Sequence, residues 1–204
     1  SRQANIQFED MREGLHAKPS THFLDGLKRK AGLGGEFAGI TLEIRQGDIT
    51  EYPADVVALK FSANHNGAAM AVAHRLTTQT GITLDQISPA RGEFALVPSL
   101  GSLGAPAALY VGSARLRDFG YEAVRELGYN TLRGLALHAP ETRQLAMTLN
   151  GPGTSLDENE ATLYQVRGYL DALDVGHFPP TLERITLVER DEGRLNRIRA
   201  YISE

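Results

Sequence analysis

Cysteine is absent from the 204 residues, which removes disulfides, thiolate metal sites, iron–sulfur clusters and a cysteine nucleophile together. No run approaches the roughly 18 to 20 apolar residues that a bilayer span requires, and Ser1-Arg2-Gln3 opens no charged-then-apolar signal segment. The chain is therefore expected to work in the cytoplasm, with no membrane as partner. Cationic excess is missing too. With 21 Lys and Arg against 25 Asp and Glu the formal charge is −4, so there is no general attraction to phosphate backbones and no nucleic-acid partner is expected. None of the 6 histidines pairs at the i, i+4 spacing of a helical metal site, so no metal is expected. No Gly-x-Ser-x-Gly marks a nucleophile elbow. What is present, 42% hydrophobic and 23% charged residues, fits one soluble globular domain with a short appendage.

The first 39 residues are polar and loosely periodic and end in Gly32, Gly34, Gly35 and Gly39, so 1–39 reads as a helical or linker segment ahead of a domain spanning 40–204. Its basic run, Lys28-Arg29-Lys30, reads as a solvated helix terminus. A chain opening on serine is what a piece of a longer protein, or a tag remnant, would show.

From residue 40 short β-branched runs alternate with stretches of helical period. Ile40 to Ile44 predicts a partly exposed strand and Ala54 to Leu59 a buried one. Gly67 to Thr78 predicts a helix through Met70, Ala73 and Leu76. Phe94 to Val97 and Ala108 to Val111 predict adjacent antiparallel strands across the turn Ser99 to Pro106. A helix over Asp118 to His138 follows, interrupted by Gly120, Gly128 and Gly134, some of which are expected to permit close packing on the sheet. The strand Leu145 to Leu149, a helix over Leu156 to Leu173, the strand Arg184 to Glu189 and a helix over Glu192 to Ile202 complete the chain. Such alternation predicts a three-layer α/β/α sandwich with a central mixed sheet.

In open α/β sheets ligands sit beyond the carboxyl ends of the strands, where helix N-termini offer unpaired N–H groups. Three loops qualify. In Gln46-Gly47-Asp48-Ile49-Thr50, Asp48 is either a ligand group or the cap of its own turn. In Ser62-Ala63-Asn64-His65-Asn66-Gly67-Ala68-Ala69, small residues let phosphates approach the backbone, although Asn66 as a helix cap explains the same text. In Asn150-Gly151-Pro152-Gly153-Thr154-Ser155, a phosphate cradle competes with a capping box formed by Ser155 and Glu158.

With these loops in order the chain resembles the macrodomain superfamily over about residues 40 to 204. Gly47-Asp48-Ile49-Thr50 followed by Tyr52-Pro53-Ala54-Asp55-Val56-Val57 is similar to that family's opening signature. The resemblance implies that Asp48, with Ile49 beside it, reads the adenine of ADP-ribose. It implies that Gly67, Ala68 and Ala69 form a first phosphate loop, and Gly151, Pro152, Gly153, Thr154 and Ser155 a second. Macrodomains that bind or hydrolyse ADP-ribose carry asparagines just after the second strand, where this chain reads Ala58-Leu59-Lys60-Phe61-Ser62; Asn64 and Asn66 are candidate substitutes. Gly92 to Pro98 and Ala107 to Gly112 look more like the macro-like N-terminal domain of leucine aminopeptidases, without the peptidase's catalytic domain. Overall the chain resembles a bacterial version of that domain found beside caspase-like CHAT proteases. That implies a non-catalytic sensor, scaffold or protease-target module with a protein partner, such as a CHAT-type protease in a larger defence assembly. The alternative implied is an ADP-ribose or related nucleotide-binding module, with or without weak ADP-ribosyl hydrolase activity, that needs no cofactor.

Overall fold

Strand-forming runs that are apolar at consecutive positions need cover on both faces, and the helices between them supply it. The computed structural model describes residues 36–37, 39–150 and 156–203. Seven strands, β1 Glu36–Phe37, β2 Ile40–Gln46, β3 Val56–Phe61, β4 Phe94–Pro98, β5 Ala107–Gly112, β6 Gln144–Thr148 and β7 Arg184–Glu189, form one sheet in the order β1-β2-β7-β6-β3-β5-β4. The five inner strands are parallel and the two edges antiparallel, so the sheet is mixed, as expected. Glu36 and Phe37, ahead of residue 40, pair with β2 as its outer neighbour.

Alternate residues of each strand enter opposite cores. Val57, Leu59, Ala108, Tyr110, Ala146 and Val188 meet helix α1, Gly67–Gln79, on one face. Val56, Ala58, Leu109, Val111, Leu145, Met147, Ile185 and Leu187 meet the helices of the other face, α2 Tyr121–His138, α3 Glu158–Val175 and α4 Glu192–Ser203. This is the three-layer sandwich read from the sequence. Asp55 ties the starts of two strands together, its Oδ2 accepting from the backbone N–H of Arg143 at 2.9 Å and of Gln144 at 2.8 Å.

Two local expectations are corrected. The helix placed from Asp118 starts at Tyr121, because a 3₁₀ turn at Leu116–Asp118 and the buried Phe119 intervene and Gly120 is extended. The helix placed from Leu156 starts at Glu158, because Asp157 is its N-cap and accepts from the N–H groups of Asn159 and Glu160. Of the glycines of α2, one serves the sheet and another the neighbouring helix. A β-carbon at Gly134 would lie 2.5 Å from the Phe94 ring on β4, as expected, whereas at Gly128 it would lie 2.4 Å from the Gln165 carbonyl of α3. Opposite it, a β-carbon at Gly168 would lie 2.1 Å from the Arg125 carbonyl, so the two glycines let α2 and α3 touch backbone to backbone.

The backbone at Gly168 cannot yield as a flexible side chain would, so the clash outweighs the helix-propensity gain of about 1 kcal/mol that alanine brings. Gly168→Ala is expected to destabilise the chain by roughly 1–3 kcal/mol in urea denaturation. A neutral or stabilised variant would show that the helices are not in contact there.

Candidate functional site

The carboxyl ends of β2, β7, β6 and β3 lie side by side, and above them opens a cleft of about 560 Å³, within the usual size of a small-molecule site. Each strand end delivers its own residues. Asp48 and Ile49 follow β2, Lys60 lies near the end of β3, Thr148 to Asn150 close β6, and Val188 to Arg190 close β7, while α1 contributes Asn66 to Ala69 and α4 contributes Arg194.

Asp48 makes the turn considered for it. The Thr50 backbone N–H and hydroxyl donate to Asp48 Oδ1 at 2.9 and 2.7 Å, and these bonds hold its carboxyl below the usual aspartate range. Both bonds fall on Oδ1, so Oδ2 is the oxygen available to a ligand. Ile49 is buried beneath the same turn, in the core shared with α1.

The second loop differs from the cap reading. Asn66 occupies the N-cap position of α1 but its side chain makes no capping bond; its Nδ2 donates instead to Asn64 Oδ1 at 3.4 Å. No acidic residue stands in the first turn of α1, so the N–H groups at this helix start face the cleft with neither a side-chain cap nor a local negative charge. Ala63 at φ 70° and Gly67 at φ 52° bend the loop through left-handed backbone, a costly conformation for alanine and an easy one for glycine. Beneath it the Tyr110 hydroxyl donates to the Ala69 carbonyl at 2.9 Å and fixes the first turn to β5. Asn64 is outside the cleft lining; Asn66, Gly67, Ala68 and Ala69 are within it.

Gly151, Pro152, Gly153, Thr154 and Ser155 of the third loop lie outside the described residues. What flanks them is described. Asn150 is buried, its N–H donating to Gln165 Oε1 at 2.8 Å and its Nδ2 to the Thr148 carbonyl at 2.9 Å. The helix beyond is capped by Asp157, and Glu158 in its first turn is bound by Arg194 at 3.3 Å and Arg197 at 2.6 Å. The acidic residues that would compete with an anion are thus partly neutralised by α4.

Sequence reasoning did not single out Lys60, Arg190 and Arg194 as site residues. Lys60 carries the one legible signal, a cation inside the apolar run Val56–Phe61 of a strand covered on both faces. Its Nζ stands 4.0 Å from the centroid of the Phe119 ring, and burial lowers its pKa. Arg190 and Arg194 follow the last strand and reach the cleft only because β7 sits at the middle of the sheet. Among the described residues no group of three or more His, Asp and Glu is placed to hold a metal ion, and no described helix is long and apolar enough to cross a membrane.

The sequence matches no protein-family model and no curated protein. Its fold does match solved structures. The Oceanobacillus iheyensis macrodomain with ADP superposes with a TM-score of 0.63 over 82% of this chain and 93% of that one, at 14% identity. The Trypanosoma brucei macrodomain in complex with ADP-ribose gives 0.59 over 79% and 70%, at 15% identity. The macro domain of ganglioside induced differentiation associated protein 2 gives 0.55 over 78% and 83%, at 14% identity. The fold of this chain is therefore that of a macrodomain.

His65 supports the second loop from below and has a testable pH signature. It is buried between Phe61 and Tyr110, with Nε2 3.3 Å from the Ser88 hydroxyl and no partner at Nδ1 among the described residues, and burial lowers its pKa. A histidine depressed in the folded state is neutral there, so its contribution is intact above the unfolded pKa of about 6.5 and is lost as pH falls below it. His65→Gln is expected to lose less stability than the unaltered chain between pH 7 and pH 5 in urea titrations, a window set by that same value of about 6.5. Parallel pH profiles would remove His65 as the cause.

Proposed function

We propose that this chain is a nucleotide-binding module whose cleft takes ADP-ribose or a closely related adenine nucleotide and reports its presence without turning it over. The observation that carries the reading is the assembly of Asp48, Ile49 and the uncapped start of α1 in one cleft across the carboxyl ends of four parallel strands. Neighbours of the same fold have been solved with ADP and with ADP-ribose, which supports a nucleotide of that shape here.

In this reading Asp48 Oδ2 accepts from the exocyclic amine of adenine while Thr50 holds Oδ1. Ile49 and Val188 supply apolar contact near the base. The diphosphate lies against the backbone N–H groups of Gly67, Ala68 and Ala69, where a helix start stabilises negative charge. Gly151, Pro152, Gly153, Thr154 and Ser155 close over its other side. Asn66, free of capping duty, faces the distal sugar, with Asn64 bracing it.

Binding without catalysis is favoured by what lines the cleft. Its described lining holds no histidine and, beside Thr148, no hydroxyl side chain; in this reading Asp48 is committed to the adenine base, and Glu189 is held through Oε1 by Arg194 and the Asp191 N–H. A general base for hydrolysis would need a carboxylate or imidazole not already engaged. A module that senses occupancy without chemistry needs a protein to receive the signal. The same proposal therefore includes a larger assembly of the CHAT-protease, defence-associated kind as its setting.

Calorimetric titration with ADP-ribose, AMP and NAD tests the reading, with Asp48→Asn as the variant. Asparagine keeps the oxygen that Thr50 uses and replaces the free acceptor by a donor, so the turn survives while the amine of adenine meets a like group. ADP-ribose affinity is expected to fall about tenfold or more, the size of one hydrogen bond to a charged group, at an unchanged melting temperature. Affinity equal to that of the unaltered chain would overturn the assignment of Asp48.

A further inference from the structure

We propose that Lys60 makes the cleft selective for an adenine nucleotide whose far end is anionic, a nucleoside triphosphate being the simplest case, over one that ends in a neutral sugar. The inference rests on the nucleotide reading above and adds the identity of the distal group.

Position comes first. Asp48 follows β2 and Lys60 lies near the end of β3, with β7 and β6 between them, so three strand spacings separate the two ends of the cleft. At about 4.8 Å per spacing that is roughly 14 Å, comparable to an extended adenine nucleotide from its exocyclic amine to its terminal group. A base anchored at Asp48 therefore delivers its distal group to Lys60.

Charge comes second. Among the charged residues of the cleft, Glu189 and Arg194 bond to each other at 3.3 Å, and Arg194 also reaches Glu158 at 3.3 Å. Asp48 is held by Thr50 and feels Arg190 as a nearby positive charge. Lys60 is left over. Its ammonium has the face of Phe119 but no carboxylate or carbonyl acceptor among the described residues. An aromatic face attracts a cation yet supplies no lone pair, so the N–H donors of this half-buried ammonium are left to solvent or to a ligand. Burial lowers its pKa, in keeping with a charge short of counter-charge.

Chemistry decides which ligand meets that need. An ammonium only donates, whereas sugar hydroxyls exchange hydrogen bonds in both directions as an asparagine amide can. Phosphate or carboxylate oxygens accept from it with the added strength of opposite charge. A terminal anion therefore gains at Lys60 what a ribose cannot.

The test is calorimetric titration of the 204-residue chain and of Lys60→Met with ADP, ADP-ribose and ATP, all without divalent metal. ADP-ribose bearing an extra phosphate on its adenosine end serves as the control for charge in the wrong place. The unaltered chain is expected to bind ATP about tenfold more tightly than ADP-ribose, and Lys60→Met to lose that preference. Lys60→Gln repeats the comparison should the methionine variant not fold. Equal or tighter binding of ADP-ribose, a preference that survives both substitutions, or the same gain from the misplaced phosphate would each overturn the inference. Asp48-dependent binding of ADP-ribose without a preference for ATP would overturn it while leaving the nucleotide reading intact; folded protein that binds no nucleotide would end both.

Discussion

The parallel backbone ladder joining β2, β7, β6 and β3 is the constraint on which the rest of this molecule depends. Parallel pairing points every carboxyl end of these strands the same way, so residues separated by up to 143 positions in sequence, such as Glu43 and Thr186, become neighbours. Each connection must then cross the sheet, and the helices that cross it give the strands their cover. The cleft is a by-product of that geometry. It opens where the strands stop and the helices have not yet closed over them.

The polar groups follow from the same constraint. Glu43 is buried on β2, and its carboxylate survives there because Arg45, Arg184 and Thr186 reach it from its own strand and from β7. Asp55 joins the opposite ends of β3 and β6. At the carboxyl ends the balance is different. Arg194 and Arg197 take up Glu158 of α3, Thr50 takes one oxygen of Asp48, and Lys60 stands against an aromatic ring with no ion pair among the described residues. Charges at the lower edge are spent within the fold, while some at the upper edge are left facing the cleft. That asymmetry separates structural ionic groups from those fit to meet a ligand.

Helix starts show how little of a site is visible in isolated motifs. Asn66 reads as a cap and does not cap; Ser155 with Glu158 reads as a capping box, yet Asp157 caps the helix. Residue types favoured at N-caps describe a tendency, and whether the side chain turns back to the helix depends on what else it meets. The uncapped α1 and the capped α3 differ in their readiness to hold an anion, although both follow a loop rich in small residues.

The strands, the order of helices and the sandwich class were legible because alternating and helical periods are local consequences of burial. That Asp48, Ile49 and the stretch Asn66 to Ala69 lie in loops beyond strand ends was legible because each follows a strand and precedes a turn or helix, and the structure brings them to one cleft. Lys60, Arg190 and Arg194 were not, since a lone cation in a strand or beyond one has no periodic signature and acquires meaning only from the strands beside it. The start of α2 was misplaced because burial of Phe119 outweighed helical propensity, and the role of Gly128 was not legible because only tertiary packing brings Gly168 to face it. The sequence by itself determined which segments are strands and helices and which loops lie between them, since those choices rest on contacts a few residues apart. Tertiary structure alone decided which loops share a cleft and which charges there lack a partner, because strand order and side-chain pairing are settled between residues far apart along the chain.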